Sequence, residues 1–162
     1  MFDLNYRTTL FLVLSSTMTF ACGGEDTTHA GPTCNDDQMA CGSICIPKVT
    51  PNVESIHFRV IGQGCAGSNS CHTGSNPKEK LALDTPEDFL GMVNLASLQR
   101  TELNLIEPFE PQSSYLINKL RGDDMSEKSS TGNRAKQMPS LASALCEEVI
   151  LVIEEWIRNG AQ

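Results

Sequence analysis

Basic residues are scarce in this chain. Twelve Lys and Arg stand against 20 Asp and Glu, a net charge of −8 over 162 residues. That balance excludes nucleic acid as a partner, because little here would neutralise a phosphate backbone. The acids are spread out and form no tail, which reads as a solvated surface. Aromatics are few: six Phe, two Tyr and one Trp. A domain this small with so few large apolar residues has a thin core, which a cofactor or disulfides would fill or staple. No internal repeat and no convincing strand pattern is present. No Ser/His/Asp ordering stands out, and Glu147-Glu148 and Glu154-Glu155 read as helix-surface pairs with no enclosed cleft. The expectation is a protein that is not an enzyme.

Long hydrophobic runs are also missing. The longest uncharged, mostly apolar stretch covers residues 8–21, follows Arg7, and centres on Phe11-Leu12-Val13-Leu14. It falls short of the about 20 apolar residues that a membrane span needs, and its basic start and small-residue end are those of an export signal. Ala21-Cys22-Gly23-Gly24 resembles a bacterial lipoprotein cleavage site, although Thr19 stands where Leu is usual. That resemblance implies a signal peptide over residues 1–21, lipidation of Cys22, and an extracytoplasmic protein of the cell envelope. It would be anchored to a membrane through lipid without crossing it.

Seven cysteines are present. Setting Cys22 aside leaves six, and an even number in an exported chain suits disulfides whose pairing the sequence does not fix. Cys34, Cys41 and Cys45 crowd into a polar, turn-rich stretch. Residues 22–50 have the composition of a Cys-rich linker, and little regular structure is expected there. A zinc site at Cys34, Cys41 and Cys45 is the weaker reading, since no matched His accompanies them.

From Pro51 onward the periodicity turns helical. Val53, Ile56 and Val60 share one face of a helix running to about Gln63, broken by Gly62 and Gly64. Thr85-Pro86-Glu87-Asp88 is a helix start: a Thr cap, Pro in the first position, acids in the first turn. That helix carries Phe89, Leu90 and Val93 inward. A third follows Pro111, carries Leu116, Ile117 and Leu120 inward, and ends at Gly122. The clearest is the last, where Val149, Ile150, Val152, Ile153, Trp156 and Ile157 form a broad apolar face that stops at Asn159-Gly160. Residues 123–137 are polar and Gly/Ser-rich, a loop. The expected fold is all-α with long loops over residues 51–162.

The chemistry concentrates in Cys65 to Gly74. Cys71-His72 is the second half of the c-type haem signature Cys-x-x-Cys-His, with Ser68 where the first Cys should stand and Cys65 further upstream, giving Cys-x5-Cys-His. In that chemistry a thiol adds to a haem vinyl group and the adjacent imidazole reaches the iron. Met138-Pro139 lies downstream, and a thioether sulfur can be the sixth ligand. His57 reads as a surface or core histidine and not as a ligand.

Further short segments follow in order: Leu81-Ala82-Leu83, Val93-Asn94, Pro111, Ser114-Tyr115-Leu116, Lys119-Leu120-Arg121-Gly122, Met138-Pro139, Trp156-Ile157 and Gly160-Ala161. With Cys65 and Cys71-His72-Thr73-Gly74 they resemble the cytochrome c-like domains of myxobacterial-type envelope lipoproteins, over about two thirds of the chain. The resemblance implies a class I cytochrome c-like helical domain carrying haem c. His72 and Met138 would be the axial ligands of the iron, and Cys71 a thioether. Cys65 would be a second thioether or pair with another cysteine such as Cys146. Two thioethers, or none, leave an even number of cysteines to pair; one strands a cysteine. The implied function is electron transfer with a redox partner protein in the envelope. The alternative is a haem-free, disulfide-stapled lipoprotein that binds or supports other proteins. Capture of a metal by Cys71, His72 and a neighbour is a third, weaker reading.

Overall fold

A two-stranded antiparallel hairpin occupies the stretch expected to be irregular. In the computed structural model, which describes residues 31–68, 71–126, 132, 134–140 and 142–162, β1 (Gln38–Cys41) pairs with β2 (Ile44–Pro47) in the register Cys41↔Ile44 to Gln38↔Pro47. Gly42, at φ 60°, takes the first position of the two-residue loop, where a tight hairpin turn calls for glycine. Met39 and Ile46 pack against the core. A hairpin of four-residue strands is marginal alone, and two disulfides hold it. Cys34–Cys45 ties the preceding segment to β2, and Cys41–Cys146 clips β1 to the residue that precedes the last helix. The hairpin belongs to the same compact unit as the helices, Gly31–Gln162.

The all-α, class I cytochrome c-like expectation is therefore overturned. The fold mixes this sheet with short helices separated by loops. The physical reason is length. Four residues show too little alternation to stand out in a polar, turn-rich context, and the bridges supply what the pattern lacks.

Two of the helices open on a side-chain cap. Asn52 caps α1 (Val53–Ile56) by accepting from the Ser55 N–H at 2.9 Å. The chain then runs through a π-helical turn, His57–Ile61, into α2 (Gly62–Gly64). The wider turn adds a residue to the period. Ile56 and Ile61 are both buried, as are His57 and Cys65. Thr85 and Asp88 form a reciprocal capping box on α3 (Pro86–Leu90). A 3-10 turn at Pro111–Ser113 leads into α4 (Tyr115–Arg121), closed by Gly122 at φ 78°. There a side chain would collide with Gln137, whose atoms lie 2.8 Å from the place a Cβ would take.

α5 (Glu147–Arg158) buries Val149, Ile150, Ile153, Trp156 and Ile157. Trp156 stacks on Phe89 at 5.1 Å and its Nε1–H donates to the Gln162 carbonyl. Glu154, expected on the outer side, is buried instead and accepts from Arg121 of α4 at 2.5 Å. Arg121 also pairs with Glu147, so one guanidinium staples α4 to two turns of α5. Residues 1–30, with the export segment and the lipidation candidate Cys22, lie outside the described residues.

Candidate functional site

Three of the four expected haem-site residues line one cavity. Cys65, His72 and Met138 face a space of about 280 Å³, walled by Leu81, Leu83, Met92, Leu105, Leu116 and Leu120. That is close to the lower bound of ordinary ligand pockets, ~300 Å³, and similarly apolar. Cys71 is half-buried and adjoins His72 without lining the cavity.

Local backbone bonds bring these residues together. Cys65 ends the α2 run, and its carbonyl accepts the His72 N–H at 3.0 Å. The Cys71 N–H closes a turn onto the Ser68 carbonyl, so the residue standing in the place of the first signature Cys shapes the loop. Met138 arrives from the other side. Its N–H donates to the Lys119 carbonyl at 2.8 Å, and the following Pro139 packs on Gly64, where a Cβ would sit only 3.2 Å from the proline ring. Gly64 thus lets the Met138 segment approach the helix that carries Cys65.

The cysteines divide cleanly. Cys34, Cys41, Cys45 and Cys146 are spent in two bridges, which removes both a zinc site in the hairpin and a Cys65–Cys146 bond. Cys65 and Cys71 are the free cysteines among the described residues. Burial, with the neighbouring Cys71 second, pushes the Cys65 thiol up to about 11, so it is a neutral thiol at neutral pH. Burial also lowers the pKa of His72, against the opposing pull of the Leu81 and Lys78 carbonyls. His72 is therefore a neutral imidazole, and its Nδ1–H donates to the Leu81 carbonyl at 3.1 Å. A neutral ring with its proton on Nδ1 keeps its lone pair on Nε2, the arrangement that a metal-ligating histidine needs.

Charge at the cavity is confined to Glu79, Lys80 and Lys119. Lys119 is partly buried, which lowers its pKa, and its Nζ donates to the Lys136 carbonyl. No group of three or more His, Cys, Asp or Glu converges among the described residues.

Sequence reading missed the wall opposite. Residues 92–106 fold back on themselves through the pairs Val93↔Ile106 and Ala96↔Asn104. They set Leu95 and Leu98 at the cavity with 46% and 64% of their surface exposed. The signal there was an apolar run without helical or strand periodicity, Met92-Val93-Asn94-Leu95-Ala96-Ser97-Leu98. His57, read as core or surface, is buried and its Nε2–H donates to the Leu83 carbonyl at 3.0 Å.

No family model matches the chain, and no curated protein or solved structure does so either.

Proposed function

We propose that this protein carries a covalently attached c-type haem and transfers electrons in the cell envelope, tethered to a membrane by lipid on Cys22. One observation carries the reading. Among the described residues, two disulfides take four cysteines, and the two free ones lie beside His72, which lines an apolar cavity with Cys65 and Met138.

The donor set fits such a group. Cys71 and Cys65 offer free thiols for thioether bonds. His72 presents a neutral imidazole oriented by a backbone carbonyl, and Met138 a neutral thioether held by the Lys119 carbonyl. The cavity, at about 280 Å³, holds only part of a porphyrin.

When bound, the iron supplies a one-electron couple, and a thioether on one side raises its potential. Leucine and methionine walls surround the buried ring of His72, and its burial favours the neutral form. If His72 and Met138 both served as ligands, no position would remain for a substrate, and electron transfer would be favoured over catalysis. The partner is a redox protein of the envelope.

Two measurements test the proposal. A non-reducing mass of the exported protein should show a haem-sized increment and two disulfides. Three disulfides without added mass would favour the haem-free stapled module, which requires a Cys65–Cys71 bridge. Met138→Ala should lower the reduction potential and open the sixth position; an unchanged spectrum would remove Met138 from that role.

A further inference from the structure

We infer that residues 81–84 are a positioning brace for His72, fixed from behind by His57 and in front by Asp84. The inference rests on the haem-binding reading only for what His72 is positioned to do.

The brace is built from backbone. The Leu81 carbonyl accepts a hydrogen bond from the His72 Nδ1–H, and two residues on the Leu83 N–H donates to the His72 carbonyl at 2.8 Å. The chain reaches this position through Glu79 and Lys80, both in the left-handed region at φ 54° and 57°. Consecutive left-handed residues other than glycine are uncommon and persist only where surrounding contacts hold them. Here the reversal turns the Leu81 carbonyl back toward the imidazole.

Two side chains outside the cavity hold the brace. His57 sits in the π-helical turn, buried, and donates to the Leu83 carbonyl. The segment that receives the His72 proton is thereby fixed to the helix that carries Cys65. Asp84 closes the other end. Its carboxylate accepts from the Thr73 hydroxyl and from the Gly74 N–H at 3.0 Å, tying the turn after His72 to the end of the brace. Neither His57 nor Asp84 lines the cavity.

The consequence is a single tautomer. A free imidazole favours its proton on Nε2; the Leu81 carbonyl holds it on Nδ1. Loosening the brace should let the proton redistribute.

The full chain, produced with 15N-histidine and without haem, gives the direct readout: the Nδ1 and Nε2 shifts of His72 at neutral pH. The wild type should show one Nδ1–H form. His57→Leu and Asp84→Ala should each lose that single form to a mixture containing Nε2–H. His57→Gln, which retains an amide donor in place of the imidazole Nε2–H, should restore it. Trp156 fluorescence reports folding in each. Asp84 is exposed, so Asp84→Ala decides alone if His57→Leu fails to fold. A wild type in the Nε2–H form, or folded variants that keep the single Nδ1–H form, would overturn the brace. Because this readout uses the haem-free chain, absence of haem would defeat the proposed function and leave the brace to be judged by itself.

Discussion

The two ends of this domain use cysteine in opposite ways. At the hairpin end, four cysteines are locked into bridges that fasten β1 and β2 to each other's surroundings and to the start of α5. At the cavity end, two cysteines stay free beside an imidazole and a thioether. The Arg121 ion pairs lie with the first end, binding α4 to α5. The contrast shows how a thin core can keep an apolar cavity open. Covalent closure constrains the unfolded chain, so the folded chain need not fill every space with side chains.

The largest expected effect breaks the stapled end. Replacing Cys41 and Cys146 together with Ala opens a loop of 105 residues. The chain-entropy relation gives a loss of roughly 4–5 kcal/mol for a closure of that length. Urea unfolding without reductant should show it as a lower midpoint. A midpoint close to that of the wild type would place the stability elsewhere.

A smaller effect sits at the junction of the helices. Arg121→Gln leaves Glu154, whose side chain is only 12% exposed, without its main partner. The expected loss is about 1–3 kcal/mol, the cost of stranding a largely buried acceptor. Glu147→Gln, at the exposed arm of the same arginine, should cost under about 1 kcal/mol. Equal losses from the two would contradict the burial argument.

The smallest effect belongs to the cavity end. The Thr73 hydroxyl, then the Gly74 N–H, hold the Asp84 carboxyl below its ordinary range. The unfolded chain therefore binds the proton first as pH falls, and stability falls with it. The contribution is fully present above the ordinary carboxyl value of ~3.9 and is lost as pH drops through the lower folded value. Asp84→Asn should be less stable than the wild type at neutral pH, with the gap closing in acid. A gap that persists unchanged in acid would show that charge plays no part.

Much of the helical half was legible because its signals are local. The Thr85 cap, Gly122 and the apolar face of α5 are each set by neighbours within a few residues, and each appears where expected. The hairpin was not legible, because its stability comes from Cys146, far along the chain. The site was readable in part. Cys71-His72 and Met138 declare themselves by residue type, whereas the role of His57 depends on a π turn and a carbonyl 26 residues away. Glu154 was misread for a similar reason: a carboxylate follows its helix inward when an arginine from another helix waits there.

The central claim is covalent haem on Cys71 and Cys65. The most direct test is the visible spectrum of the full chain, exported from cells competent in c-type haem maturation, after denaturation in reducing alkaline pyridine. A haem band that survives denaturation, at the position of two thioethers, is the expected result. A colourless protein, from cells that mature a control cytochrome, would contradict it.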